Sequence, residues 1–179
     1  MSQAQGRTQM APLGRMLFAG VLVLVGSQAQ AADGFVLKTG QGERLQNGVV
    51  VKASPKTGTR GSILVEQTFK RNGQTPVHIH EQGDELFYVV SGRGTARLGD
   101  RVQTIETGDV VFVPTGAVHQ IANLKNDDPL RVVFFMASPE LVDYFRAIHE
   151  RVTADPSRPI TAEERAAIGK RTGGVKPVE

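Results

Sequence analysis

The chain has 179 residues, enough for one globular domain with a buried core. Its 21 Lys and Arg residues against 18 Asp and Glu residues give a formal net charge of +3, and no run of five or six charged residues of one sign occurs. Nucleic-acid binding needs a basic stripe that neutralises several phosphates, so the composition argues against that function. The sequence has no cysteine, which excludes disulfides, thiolate metal sites and cysteine nucleophiles.

Residues 1–31 have the three parts of a secretory signal peptide. Arg7 and Arg15 supply positive charge, Met16–Val25 is a short apolar run, and Ala-Gln-Ala stands at 29–31. The apolar run is about half of the roughly 20 residues that a membrane span needs, which disfavours an anchor. We therefore expect cleavage near Ala31 and a periplasmic or secreted mature protein without membrane attachment.

Residues 32–137 are predicted to form an all-β domain. Short apolar segments alternate with turn residues at even spacing and without a long helix, a pattern typical of a sandwich or barrel. The dipeptides Asn72-Gly73 and Gly99-Asp100 tolerate positive φ and predict antiparallel hairpins. The predicted strands are Val49–Ala53, Ser62–Lys70, Val77–His80, Glu85–Val90, Thr95–Leu98, Arg101–Glu106, Val110–Val113, Val118–Asn123 and Leu130–Met136.

Residues 138–179 are predicted to form a helical tail. Ser138 is the expected cap of the first helix, with Pro139 at its first position. Apolar residues then recur at helical spacing at Leu141, Phe145, Ile148 and Val152. Thr161 and Glu164 form a capping box for a second short helix that ends near Gly173. We expect the tail to pack on the barrel or on a partner subunit.

Four coordinating residues are predicted to come together in the barrel. His78 and His80 alternate along a predicted strand and therefore share one face. Glu85 opens the next strand, and antiparallel pairing across the intervening turn would bring it beside both histidines. His119 points inward from a later strand. Three imidazoles and one carboxylate suit one divalent first-row metal (Mn, Fe, Co, Ni, Cu or Zn), whereas calcium prefers about six to eight oxygens.

Other polar and aromatic residues are weaker candidates. Strand parity turns Glu81 and Asp84 away from the metal, and His149 is expected at the surface or in helix packing. Gln67 is the one polar side chain on the inward face of its strand, where it either reaches a pocket or is a satisfied buried amide. Three aromatic residues are expected to line a cavity or belong to the core: Phe87, Phe112 and Phe134.

The spacing of these residues resembles the two sequence motifs of the cupin family. The first motif resembles His78-x-His80-(x)4-Glu85-(x)6-Gly92, and the second Gly108-(x)5-Pro114-x-Gly116-(x)2-His119-(x)3-Asn123. The resemblance covers Ser62 to Met136. It implies a double-stranded β-helix, or jelly-roll cupin barrel, here with two short C-terminal helices. It also implies that His78, His80, Glu85 and His119 are the metal ligands.

The resemblance implies a function as well. Similarity to quercetinase-like cupins predicts a metal-dependent oxygenase acting on a small organic molecule, with Glu85 as a catalytic residue in addition to its role as a ligand. Isomerase, decarboxylase and lyase chemistry stay open, as does a periplasmic binding or sensing module without turnover. We also expect a homodimer, because Leu86, Tyr88 and Val90 lie opposite the metal face and need cover.

Overall fold

The computed structural model describes residues 34–178, in which two antiparallel β-sheets share one apolar core. The strands are β1 (Glu43–Arg44), β2 (Val49–Ala53), β3 (Ile63–Phe69), β4 (Gly73–Gln74), β5 (His78–Ile79), β6 (Glu85–Ser91), β7 (Arg93–Leu98), β8 (Arg101–Glu106), β9 (Val110–Val113), β10 (His119–Asn123), β11 (Leu130–Met136) and β12 (Lys176–Pro177). Two α-helices, α1 (Glu140–Ala154) and α2 (Ala162–Thr172), and two short 3-10 helices, Gln46–Gly48 and Pro55–Thr57, complete the described part.

The strand order is that of a jelly roll built from two facing sheets. The first sheet runs β1-β2-β3-β11-β6-β9, and the second runs β12-β5-β10-β7-β8 with β4 also beside β10. The predicted all-β jelly-roll class with two C-terminal helices is therefore confirmed. The two-residue strands β1, β4 and β12 were not predicted, because two residues carry no alternation for a sequence pattern to detect.

Alternation along the long strands separates the core from the surface. In β3, β6 and β11, every second side chain is buried, and the inward positions include Val65, Val89 and Val132. β-branched side chains such as these suit a pleated, half-buried surface. Outward positions carry polar groups, such as the ion pair between Arg131 and Glu66 across β11 and β3. Because of this alternation, the position of a polar residue along its strand determines whether its side chain points into the barrel.

One of the two predicted hairpins is wrong. Gly99-Asp100 joins β7 to β8, which pair directly. Asn72 does take a left-handed φ of 64°, but the turn there leads from β3 in the first sheet to β4 in the second. β3 pairs with β2 and β11 instead of with β4. A turn dipeptide reports that the chain reverses, whereas the pairing of a buried strand is decided by long-range packing.

The two helices follow their predicted ends with one correction. α1 begins at Glu140, so Pro139 holds the capping position that Ser138 is predicted to hold. The Ser138 hydroxyl donates to the Glu140 carboxylate, a charged acceptor, and makes no cap to a backbone N–H. In α2 the predicted capping box of Thr161 and Glu164 is confirmed, and the helix ends before Gly173, whose φ is 76°.

The predicted signal peptide, residues 1–31, lies outside the described residues. Within 34–178, no helix has the length and apolar character that crossing a membrane requires.

The outer face of the first sheet carries a row of apolar side chains from four neighbouring strands: Leu64, Phe135, Leu86 and Phe112. Phe112 is 52% exposed and does not line the interior, because Val111 and Val113 take the inward positions of β9. Tyr88, in the next row, is 50% exposed. Isolated exposed apolar residues are ordinary, but a contiguous set of this kind is typical of an interface.

The homodimer therefore stays a prediction, now with a defined surface. We expect Leu86→Glu to convert a dimer to a monomer, because the new carboxylate would lose its hydration at the contact. Val102→Glu, at an exposed apolar position of the second sheet, is the matched control and should leave the dimer intact. Multi-angle light scattering at micromolar concentration measures both. A monomeric wild-type protein would refute the dimer.

Candidate metal centre

The four predicted ligands come from three strands and from the residue after one of them, and they meet inside the barrel. His78 on β5 is paired directly with His119 on β10, and His80 follows the end of β5. Glu85 opens β6 in the facing sheet. All four residues are at most 5% exposed. The structure thus brings together every residue that the sequence assigns to the metal.

Glu85 reaches the histidines by a different route from the predicted one. β5 and β6 do not pair across the turn that joins them, since they lie in different sheets. Glu85 instead pairs with Met136 of β11, which pairs with Ile63 of β3. Its side chain therefore shares their inward face and points across the barrel. The parity prediction for Glu85 is correct, but the hairpin that was expected to position it is wrong.

Backbone carbonyls determine which ring nitrogen of each histidine is free. His78 Nδ1 lies 2.9 Å from Pro76 O, and His119 Nδ1 lies 3.0 Å from Ala117 O. His80 Nδ1 lies 2.6 Å from Gly174 O. A carbonyl oxygen only accepts hydrogen bonds, so each Nδ1 carries the proton. In each neutral ring, Nε2 therefore presents a lone pair.

The free lone pairs converge on one another. His78 Nε2 and His80 Nε2 are 3.2 Å apart, and Glu85 Oε2 lies 3.3 Å from His80 Nε2 and 3.1 Å from His119 Nε2. Glu85 Oε2 and His119 Nε2 are buried without a hydrogen-bond partner among the described residues. With neutral rings these atoms are all acceptors without a donor between them, and a metal cation would satisfy the whole set.

The separations fit a single first-row metal ion. Donors about 2.1 Å from one metal are roughly 3.0 Å apart when adjacent in an octahedron and roughly 3.4 Å apart in a tetrahedron. The three separations of 3.1–3.3 Å fall in this range. The imidazole ligand atoms of the three histidines also lie within 4.8 Å of one another. The three histidines therefore fit a metal of the kind that the sequence predicts, with Glu85 beside two of them.

The protonation equilibria favour the same conclusion. Burial, with the nearby His119 and His80 rings, lowers the pKa of His78 to about 3, so that this ring is neutral at pH 7. Burial acts to raise the pKa of Glu85, but the adjacent His119 and His80 side chains outweigh it and hold that pKa below its usual range. A neutral imidazole and an ionised carboxylate are the forms that bind metal.

One contributor to this site, the carbonyl of Gly174, was not predicted from the sequence. An added Cβ at Gly174 would lie 2.6 Å from Glu140 O, so glycine lets the chain pass close to the start of α1. The tail then continues as β12, which pairs with β5, and Lys176 Nζ lies 2.7 Å from Glu81 Oε1. The tail is thus attached to the strand that carries His78. Gly173-Gly174 signals a helix stop, but no local pattern relates it to His80.

The weaker candidates lie away from the centre or in the core. Glu81 and Asp84 are exposed, and Asp84 Oδ1 accepts from Thr115 N and Oγ1 at 2.8 and 2.9 Å. His149 is half-buried on α1. Phe87 and Phe134 are buried, with ring centroids 5.3 Å apart, and belong to the core. Gln67 is buried and lines a separate cavity beside the C-terminal helices.

Known proteins match the barrel part of the chain. The sequence model of the family described as Cupin domain matches residues 65–136. An uncharacterized protein of Streptomyces coelicolor is 37% identical over 57 residues, which are 32% of this chain and 52% of that protein. An uncharacterized protein of Methanocaldococcus jannaschii is 29% identical over 70 residues, 39% of this chain and 55% of that protein. The chain therefore spans about half the length of these curated relatives.

Among solved structures, a conserved protein with a double-stranded β-helix domain from Klebsiella pneumoniae is similar in fold. Its sequence is 22% identical, its TM-score is 0.45, and the match covers 58% of this chain and 82% of that chain.

We expect His78→Ala, His80→Ala and His119→Ala each to lower metal occupancy strongly, because each removes one of only four ligands. Elemental analysis of Co²⁺-loaded protein measures the effect, with about one ion expected per wild-type chain. His149→Ala is the control, since this histidine lies on α1. Equal metal content in wild type and all three ligand variants would disprove the site.

A second prediction concerns the tail. Gly174→Ala places a methyl group against the backbone of Glu140 and Leu141 and should displace the carbonyl that orients His80. Loss of such a supporting hydrogen bond typically costs about 10–100-fold in metal affinity. Gly173→Asn is the control, because its nearest neighbour is 4.0 Å from the added Cβ and asparagine tolerates a left-handed φ. Co²⁺ titration followed by visible absorption gives the affinities, and an unchanged Gly174→Ala affinity in a folded protein would exclude the supporting role.

Proposed function

We propose, on the premise that residues 65–136 form a small domain of the cupin superfamily, that this protein is a metal-dependent oxygenase or related enzyme. Its substrate in this proposal is a small organic molecule. The proposal assigns one divalent first-row metal to four ligands: His78, His80, Glu85 and His119.

The proposal rests on one observation: hydrogen-bond acceptor atoms converge in the buried interior of the barrel. Glu85 Oε2 lies 3.1 Å from His119 Nε2 and 3.3 Å from His80 Nε2, without a donor to satisfy it. Unpaired buried polar atoms each cost about 1–3 kcal/mol, so an arrangement of this kind argues for a function that uses it.

A ligand set of four leaves one or two coordination positions for a small molecule when the metal is five- or six-coordinate. When bound, such a metal would polarise a chelating substrate and, if redox-active, support its reaction with dioxygen. The three histidines hold their positions through their Nδ1 hydrogen bonds to backbone carbonyls. Glu85 carries the negative charge among the ligands, and in this proposal its second oxygen accepts a proton from a bound hydroxyl or C–H group.

A binding or sensing module without turnover is the second candidate. The observation that favours it is the burial of the centre, where His119 is 0% and Glu85 2% exposed. A site so enclosed would retain a metal well, but a substrate would need the surrounding loops to move. Isomerase, decarboxylase and lyase chemistry remain alternatives within the enzymatic proposal, because the same ligand set supports them.

We further propose that the protein acts outside the cytoplasm, in the periplasm or after secretion. This rests on the composition of residues 1–31, with two arginines, a short apolar run and Ala-Gln-Ala at 29–31. The partner in this proposal is a small molecule, with neither nucleic acid nor membrane involved.

Glu85→Gln separates the enzyme from the binding module. In an enzyme we expect this variant to keep much of the metal, held by three imidazoles, but to lose turnover per bound metal by roughly 10²–10⁴, the usual contribution of a general base. The measurement is oxygen uptake and product mass with phenolics, sugars and carboxylates, divided by metal content. Glu106→Gln, at an exposed carboxylate on β8, is the control.

Equal activity per metal in wild type and Glu85→Gln would restrict Glu85 to the role of a ligand. No turnover with any of these compounds in the Fe, Mn, Co, Ni, Cu or Zn form would contradict the enzymatic proposal and favour the binding module.

A further inference from the structure

A cavity of about 910 Å³ lies between the barrel and the two C-terminal helices. Its walls come from the start of β2, the end of β3, the segment from Asn72 to Val77, and one face each of α1 and α2. This volume is in the range of pockets that bind small organic ligands, about 300–1,000 Å³.

The cavity adjoins the candidate metal centre but does not include its ligands. None of the four predicted ligands lines it. Glu85 lies in the same cross-strand row as Met136 and Ile63, at one end of β3. Gln67, which lines the cavity, stands four residues further along β3, roughly 13 Å at the usual strand rise of about 3.3 Å per residue. At its other end the cavity is lined by Pro76 and Val77, and Pro76 O is the carbonyl beside His78 Nδ1. A ligand in this cavity would therefore contact the backbone next to His78 without touching any of the four ligand side chains.

The charges around the cavity have one sign. No Asp or Glu side chain lines it, whereas Arg165 and Lys70 do. Arg165 forms no salt bridge with any carboxylate of residues 34–178, and the carboxylate beside it in sequence, Glu164, is already bound by Arg151 and Arg158. A half-buried guanidinium without a carboxylate partner in an acid-free cavity is suited to bind an anion.

The remaining lining combines apolar surface with polar groups that are not fully used. Phe145, Ile148 and Val49 supply apolar area. Gln67 is only 6% exposed, and the buried Tyr144 hydroxyl lies near Arg165 without a well-formed hydrogen bond to any described residue. Binding sites for organic molecules have this composition, a largely apolar wall with a few polar groups that orient the ligand.

We propose that this cavity binds an organic anion, a molecule with an apolar body and a carboxylate or similar acidic group that Arg165 recognises. The carboxamides and the Tyr144 hydroxyl would contact hydroxyl or carbonyl groups on its body. None of the residues that line the cavity is one of the four proposed metal ligands, so this proposal goes beyond the enzymatic one and is tested apart from it.

Two fluorescent probes that differ only in charge test the proposal on the full chain. Anilinonaphthalene sulfonate has an apolar ring system with one anionic group, and N-phenylnaphthylamine has the same rings without it. We expect the sulfonate to bind at one site per chain and more tightly than the neutral probe. Arg165→Gln should weaken sulfonate binding roughly tenfold and leave neutral-probe binding within about twofold.

Matched variants serve two purposes. One pair distinguishes recognition by Arg165 from a general effect of charge, and the other distinguishes binding in the cavity from binding elsewhere on the protein. Arg171→Gln removes the same charge from an exposed position of α2 outside the cavity and should change neither probe. Ala162→Trp, at the cavity wall, should weaken both probes by obstruction, whereas Ala166→Trp, elsewhere on α2, should not. The titrations are run on chelator-treated and on Co²⁺-loaded protein, and we expect the same result in both.

Three outcomes would overturn the proposal. Equal sulfonate affinity in wild type, Arg165→Gln and Arg171→Gln would mean that Arg165 does not recognise the anion. Insensitivity to Ala162→Trp would locate the probes elsewhere, such as on the apolar outer face of the first sheet. Failure of both probes to bind would mean that the cavity is closed to ligands. A protein that binds no metal but shows the expected probe affinities would contradict only the metal proposal.

Discussion

The convergence of hydrogen-bond acceptors inside the barrel is the constraint on which the candidate site depends. Three Nε2 lone pairs and the Glu85 carboxylate face one another, with separations of 3.1–3.3 Å where they are closest. Each buried acceptor without a partner costs about 1–3 kcal/mol, and a domain's entire free energy of unfolding is about 5–15 kcal/mol. Glu85 Oε2 and His119 Nε2 are two such atoms, so leaving them unpaired would offset a sizeable part of that stability. A metal cation turns the same arrangement into a favourable one, which is why the site is best understood as a metal centre.

The barrel and the tail together build this arrangement. Direct pairing of β5 with β10 places His78 beside His119, and the facing sheet supplies Glu85. The ring orientation of His78 and His119 comes from carbonyls two residues before each of them. His80 instead depends on Gly174, 94 residues away in sequence, so the second helix and the strand that follows it also support the centre. Docking of the tail and metal affinity are therefore expected to be coupled.

The sequence predicted the features that depend on local parity and failed where pairing is long-range. Alternation placed His78, His119 and Glu85 on inward faces, and the capping box located α2. The hairpin expected to position Glu85 was wrong, because β5 and β6 belong to different sheets. Gly174 and the cavity beside α1 and α2 could not be foreseen, since both arise where the tail packs on the barrel. Periodicity predicts which face of a strand a side chain lies on, but not which residue it contacts in the folded protein.

The most direct test of the metal centre is a crystal structure of the Co²⁺-loaded full chain with anomalous diffraction at the cobalt edge. The account predicts one strong peak per chain, about 2.0–2.2 Å from the Nε2 atoms of His78, His80 and His119 and from a Glu85 carboxylate oxygen. The Nδ1 atoms should keep their backbone carbonyl partners. Coordination through Nδ1, a peak remote from Glu85, or no peak in the barrel would contradict it.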